Sequence, residues 1–221
     1  MFDFKIIRAL LFDLGGVVIE IDFDRVFDSW SKHSSLNPEQ IRDLFFFDEP
    51  YQQHERGQIE PEIYYEHIRS SLNLTATNKQ IELGWNKIFS GEIDPVVKQI
   101  KEIKNKIPCY AFTNTNRAHQ NAWEICCPSI PLLFKRIFSS WKLGFRKPDP
   151  AAFRAVLDSM QVNAKEIIFF DDTEENVTAA ESLGLQAQLV KSSCDITNIL
   201  SRLEEYRGYK EYPTVPRAPT S

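Results

Sequence analysis

The chain opens on a run, Ile6-Ile7-Arg8-Ala9-Leu10-Leu11-Phe12, in which neither alternation is polar. A strand covered on one face alternates, whereas a strand covered on both reads as a nearly continuous apolar run. A buried strand is therefore expected over 6–14, with Asp13-Leu14-Gly15-Gly16-Val17 at its end. Between Asp22 and Phe89 the period changes. Apolar positions recur three and four apart: Phe23, Val26, Phe27 and Trp30; Ile41, Leu44 and Phe45; Ile63, Tyr64, His67 and Ile68; Ile81, Trp85 and Ile88. Pro38 and Pro61 fall at first-turn positions, and Asn37 and Thr77 read as N-caps. This predicts a block of about four helices with no evident strand.

After Gly91 the alternation of strand and helix patterns resumes. Strands are expected over 107–112, 136–140, 166–170 and 185–190, and helices over 94–105, 116–127, 149–160, 174–183 and 196–206. The pattern is that of an α/β protein with a doubly wound, mainly parallel sheet and an all-helical insertion after its first strand. The expected division is a core of 1–19 and 92–206, a cap of 20–91 and a loosely held tail of 207–221. Three prolines among the last dozen residues support the tail.

Composition narrows the function. At 221 residues and 43% hydrophobic, the chain can bury one α/β core and a small second one. Net charge is −5 with scattered Lys and Arg, so no basic footprint for nucleic acid is present. No apolar stretch reaches membrane-spanning length. Asp3, Lys5, Arg8 and Asp13 make the first eighteen residues unlike a signal peptide. Cys109, Cys126, Cys127 and Cys194 form no C-x-x-C pair, and reduced thiols in a cytoplasmic protein are expected. Sequons at Asn73 and Asn176 carry little weight without secretion.

Four polar clusters fall at expected strand ends or a helix start: Asp13, Thr113-Asn114, Lys147 and Asp171-Asp172. Singly, each has a plainer reading as a turn aspartate, a cap, a solvated lysine or an acidic helix start. Open α/β sheets place ligands beyond the carboxyl ends of their strands, and the topology brings all four clusters to that edge. Two or three carboxylates there can hold Mg²⁺. A lysine and a hydroxyl can hold phosphoryl oxygens, and a further carboxylate can attack phosphorus.

In this order, FDLGGVV around Asp13, FTNTN around Thr113, GFRKPDP around Lys147 and FFDDTEEN around Asp171-Asp172 resemble the four motifs of the haloacid dehalogenase-like hydrolases. The resemblance covers residues 6–205, and the helical block between the first two motifs is similar to that family's first cap type. FDLGGVVIEIDFDRV, QQHERGQI and TNTNRAH resemble a narrower branch, the bacterial α-D-glucose-1-phosphate phosphatases. The resemblance implies Asp13 as nucleophile and metal ligand, the Gly15 carbonyl as a second ligand, and Asp172 supported by Asp171 as the rest of a Mg²⁺ site. It implies that Thr113, Asn114 and Lys147 hold the phosphoryl group.

One position departs from the pattern. Most phosphatases of the family carry an aspartate two residues after the nucleophile as general acid and base, and here that residue is Gly15. Acid–base help is typically worth about 10²–10⁴-fold. An anomeric oxygen leaves more readily than a simple alkoxide and needs it less. Otherwise Asp22, Asp24, His54 or Glu55 is a candidate replacement. Tyr51-Gln52-Gln53-His54-Glu55-Arg56-Gly57 is read as a substrate-specificity segment, with His54 and Glu55 binding substrate. Its plainer alternative is a solvated loop holding a Glu–Arg pair of little worth. Arg117 and His119 are expected to cap a helix or lie at the surface.

The function expected is a Mg²⁺-dependent phosphatase of a small phosphorylated metabolite, such as glucose 1-phosphate. One alternative is a haloacid dehalogenase, for which Gly15 is no obstacle but the Asp171-Asp172 pair has no use. The other is an interaction protein with weak catalysis, for which the four clusters are superfluous.

Overall fold

The computed structural model describes residues 2–211. β1 (Ala9–Phe12) is fully buried, as its unbroken ALLF run requires. Next come the short strand β2 (Ile19–Ile21) and the helices α1 (Phe23–Ser31), α2 (Pro38–Leu44), α3 (Glu49–Glu55), α4 (Pro61–Ser71) and α5 (Asn78–Trp85). β3 (Phe89–Glu92) returns to pair antiparallel with β2. The chain continues through α6 (Asp94–Ile103), β4 (Cys109–Thr113), α7 (Arg117–Cys126), α8 (Ile130–Leu133), β5 (Arg136–Ser139) and α9 (Ser140–Leu143). It ends with α10 (Pro150–Met160), β6 (Ile167–Asp171), α11 (Glu174–Ser182), β7 (Gln186–Leu189) and α12 (Ser193–Glu211).

The main sheet is parallel throughout, in the order β5-β4-β1-β6-β7. Alternate residues of its strands feed two apolar layers. Leu10, Phe12, Ala111 and Phe170 pack with Val97 of α6, Trp123 of α7 and Leu200 of α12. Ala9, Leu11, Phe112 and Phe169 pack with Phe153 of α10 and Ala180 of α11. Helices on both faces make the sheet doubly wound, as the pattern predicts. β1 is central, so the carboxyl ends of β4, β1 and β6 lie side by side.

The insertion has its own apolar cluster, built on Trp30, Trp85, Tyr64 and Ile81. The Trp30 and Trp85 rings stack at 5.4 Å, and Trp30 Nε1 donates to the Ile81 carbonyl at 3.0 Å. Asn37 and Thr77 each close a reciprocal capping box, and Pro38 and Pro61 open their helices, as expected.

Several expectations need correction. Asp22 to Ile88 holds no strand, as expected, but the β2–β3 ribbon, unforeseen because three and four residues are too few to show a period, closes the insertion at its two ends. α3 is a helix, not the solvated loop of the plainer alternative, and is capped by Asp48, whose carboxylate accepts from the Tyr51 amide. The single turns α8 and α9 are too short for a periodic signal. β1 is shorter than 6–14, although the Asp13 amide still donates to the Phe170 carbonyl at 2.8 Å. α12 runs through Glu211, into the stretch assigned to the tail, and the tail from 212 onward lies outside the described residues. Among the described residues no helix is long and apolar enough to cross a membrane.

The insertion docks on the core through the turn after α3. Gly57 has φ +64°, and a Cβ there would lie 2.6 Å from the Trp141 carbonyl oxygen. Both its conformation and this close approach select glycine. Gly57→Ala is therefore expected to cost about 1–2 kcal/mol, a fall in Tm of roughly 2–8 °C for a chain of this size. A thermal melt within a degree of wild type would show that the junction yields freely.

Candidate active site

Lys147 organises the site. It is buried to 1% exposure, in the loop before α10. Its Nζ donates to Asp171 Oδ2 and to the Phe112 carbonyl, both at 2.7 Å, and lies 2.9 Å from Asp13 Oδ1. Asn114, just past β4, clamps the Lys147 backbone: its Nδ2 donates to the Lys147 carbonyl at 2.9 Å, and its Oδ1 accepts from the Lys147 amide at 2.8 Å. Asn114 thus fixes the lysine that the sequence placed beside it.

Asp171 ends β6 and is fully buried. Its Oδ1 accepts from the Thr173 amide and from Asn176 Nδ2, each at 2.9 Å. Asn176 is buried in the first turn of α11, so the sequon noted there is a structural amide facing the acid cluster. Asp172 is more open. Gly16 passes close beside it with φ +71°, and a Cβ would lie 2.2 Å from Asp172 Oδ2. The second glycine of the motif is therefore dictated by the approach of two loops. Gly15 has no such constraint: a Cβ there meets only the Ile21 side chain, at 3.5 Å.

Asp13, Asp171 and Asp172 offer oxygens within 4.8 Å of one another. Burial pushes Asp13 up to about 7, opposed by Lys147 and reinforced by Asp171 and Asp172. Burial and Asp171 likewise raise Asp172. Burial disfavours the Lys147 ammonium, but Asp13 and Asp171 outweigh it and hold the lysine above its ordinary value. Three carboxylates against one ammonium leave a deficit of positive charge. Among the described residues the only polar partner of the buried Asp13 Oδ1 is the Lys147 ammonium, 2.9 Å away. An all-oxygen donor set with surplus negative charge fits a hard divalent cation such as Mg²⁺.

These groups open into a cavity of about 490 Å³ between sheet edge and insertion. Gly15, Thr113 and Asn114 line its floor with Asp13, Lys147 and Asp172. From α3 come Tyr51, Gln52 and Glu55. Tyr51 Oη donates to Glu55 Oε1 at 2.9 Å, and Arg146 Nε donates to Oε2 at 2.8 Å. Ser140 Oγ, on α9, donates to the Glu55 carbonyl at 2.6 Å. The ion pair is thus Glu55–Arg146, across 91 residues, and not the local pair of a solvated loop. Arg56 instead pairs with Glu49.

The other candidates fall elsewhere. His54 is buried with its ring stacked 4.4 Å from Tyr64, and it does not line the cavity. Asp22 caps α1, accepting from the Asp24 amide, and Asp24 is exposed beside Arg42; neither lines the cavity. Arg117 is exposed as expected. His119 is not: it is 6% exposed, lines the cavity, and packs 4.5 Å from Trp85 and 5.1 Å from Phe89. Arg146, His119, Asn176 and Ser140 escaped sequence reasoning. Only their nearness to a motif was visible.

Carboxylates and a buried lysine at the carboxyl edge of a doubly wound parallel sheet, roofed by an inserted helical block, define a class of lidded hydrolases. The family model for the haloacid dehalogenase-like hydrolases matches residues 7–184, and the chain belongs to that family. Within it the chain stands with the phosphatases. It is 28% identical to a sesquiterpene phosphatase of Aspergillus oryzae, over 80% of this chain and 87% of that one. It is 22% identical to the D-ribitol-5-phosphate phosphatase of Bacteroides thetaiotaomicron, over 86% and 94%. A HAD family enzyme of B. thetaiotaomicron, crystallised with magnesium and inorganic phosphate, superposes with a TM-score of 0.78 at 27% identity, covering 87% of this chain and 98% of that one.

Burial lowers His54 to about 4, and burial with the neighbouring His54 lowers His119 to about 3. Both titrate near 6.5 in an unfolded chain. With folded values below unfolded ones, their stabilising contribution is complete above pH 6.5 and drains as pH falls through 6.5 toward 4 and 3. Replacing both by phenylalanine is expected to flatten the fall in Tm between pH 7 and 4.5. An unchanged slope would assign that acid sensitivity to carboxylates.

Proposed function

We propose that this protein is a Mg²⁺-dependent phosphatase of a small phosphorylated metabolite, most simply a sugar phosphate such as glucose 1-phosphate, working in the cytoplasm through an aspartyl-phosphate. The observation that carries the reading is the group of Asp13, Asp172 and Lys147 at the floor of the cavity, with Asp171 buried against Lys147 beneath it. Paired acids beside the nucleophile would be costly like charges in a metal-free dehalogenase site. They favour phosphoryl transfer.

In this reading Asp13, Asp172 and the Gly15 carbonyl hold the metal, with Asp171 in support. When bound, Mg²⁺ neutralises the carboxylates and the charge on the transferring phosphoryl group. Asp13 attacks phosphorus, the bond to the leaving oxygen breaks, and an acyl phosphate forms on Asp13. Thr113 and the Asn114 backbone hold phosphoryl oxygens. Lys147, fixed by Asn114, orients Asp13 and balances charge. Water then attacks phosphorus, releasing phosphate and restoring the carboxylate.

No carboxylic acid at position 15 protonates the leaving oxygen. Of the four candidate replacements only Glu55 lines the cavity, and Tyr51 and Arg146 already hold both its oxygens. The chemical step is therefore expected to depend steeply on leaving-group acidity, with anomeric and aryl phosphates cleaved faster than phosphates of primary alcohols. Gly15→Asp has room for its Cβ and should narrow that gap by supplying the acid. Single-turnover rates on esters of graded leaving-group pKa measure both effects. A flat dependence in wild type would mean that a proton donor is already in place.

The reading itself is tested by phosphate release with Mg²⁺ and with excess chelator. Activity should require the metal, and Asp13→Asn should lower it by about 10³-fold or more. Full activity in chelator, or in Asp13→Asn, would overturn it.

A further inference from the structure

The wall facing the phosphoryl floor carries polar groups that the transfer reaction does not use. Arg146 lines the cavity and is held by Glu55 through Nε alone, and neither Nη group has a partner among the described residues. Glu55 is 4% exposed, with each carboxylate oxygen accepting one hydrogen bond and retaining a free lone pair. His119 and Trp123 are one helical turn apart on α7 and both line the cavity. Each has a buried ring nitrogen, His119 Nε2 and Trp123 Nε1, without a partner among the described residues. A substrate rich in oxygen can pair with the Arg146 Nη groups and the free Glu55 lone pairs, whereas the two ring nitrogens have almost no accessible surface.

We propose that Arg146 and Glu55 together read neighbouring hydroxyls on the leaving group, so that the enzyme selects polyhydroxylated phosphate esters. This rests on the phosphatase reading. The pair suits hydroxyls better than a second anion. Glu55 already neutralises Arg146, so an added carboxylate or phosphate would meet a buried carboxylate with no spare positive charge. A hydroxyl does both things the pair can accommodate: it accepts from an Arg146 Nη and donates to a Glu55 oxygen. An apolar leaving group, as in a terpenoid phosphate, would cover those Nη groups without pairing them. Tyr51 fixes Glu55, and Ser140 fixes the Glu55 backbone to the core, so the reader is rigid before substrate arrives.

The test uses matched esters of equal reach, all of primary alcohols so that leaving-group acidity stays close: glucose 6-phosphate against cyclohexylmethyl phosphate, and ribitol 5-phosphate against n-pentyl phosphate. The readout is the ratio of kcat/KM, hydroxylated over deoxygenated, with Mg²⁺. Sites built to bond a substrate hydroxyl reject analogues lacking it, and at least one pair should show a wild-type ratio of about 10² or more. Arg146→Lys keeps a positive charge beside Glu55 but loses the planar Nη pair, and should lower that ratio about tenfold or more, chiefly through KM. Glu55→Gln, which keeps the shape of the side chain but loses one acceptor oxygen and the carboxylate charge, serves as the second variant and should lower it too. Wild-type ratios near one in both pairs overturn the inference while leaving the phosphatase reading standing, as does an unchanged ratio in both variants. No phosphate release from any ester overturns both.

Discussion

Lys147 is an ammonium with almost no contact with water, and much of the core's architecture answers the cost of putting it there. A buried cation survives only when its protons are taken and its charge is matched. The Phe112 carbonyl and Asp171 take two of those protons, and Asp13 stands at the third side. Phe112, Asp13 and Asp171 come from the ends of three adjacent strands, so the requirement is met only if β4, β1 and β6 pair in the observed register. Asn114 then fixes the lysine's backbone. The Thr173 amide and Asn176 fix Asp171 from the other side.

The matching is deliberately incomplete in one sense: three carboxylates face one lysine. Burial, together with that surplus, raises Asp13 and Asp172. The same imbalance that would destabilise an isolated core makes the site receptive to a divalent cation and to the phosphoryl chemistry it supports. Structure and function therefore draw on one electrostatic arrangement rather than on two.

The insertion supplies the other half of the cavity. Its apolar core is separate, but its turn after α3 is tied to the sheet edge by Ser140, by the Gly57–Trp141 approach and by the Glu55–Arg146 pair. Arg146 adjoins Lys147, so one short loop serves both the phosphoryl floor and the specificity wall.

The local pattern of the chain determined the parallel core, its strand ends and the helical character of most of the insertion. Burial on both faces leaves its mark on every residue of a strand, as at Ala9-Leu10-Leu11-Phe12. Glycine spacing and the order of Asp13, Thr113, Lys147 and Asp171-Asp172 made the floor of the site legible for the same reason. Each element carries its own signal within a few residues. The wall was decided by tertiary structure alone. Glu55 finds Arg146 at a separation of 91 residues, and His119 is buried only because Trp85 and Phe89 of the insertion close over it. Periodicity reports which face of an element is covered, but not what covers it. The residues that read a leaving group depend on that second fact.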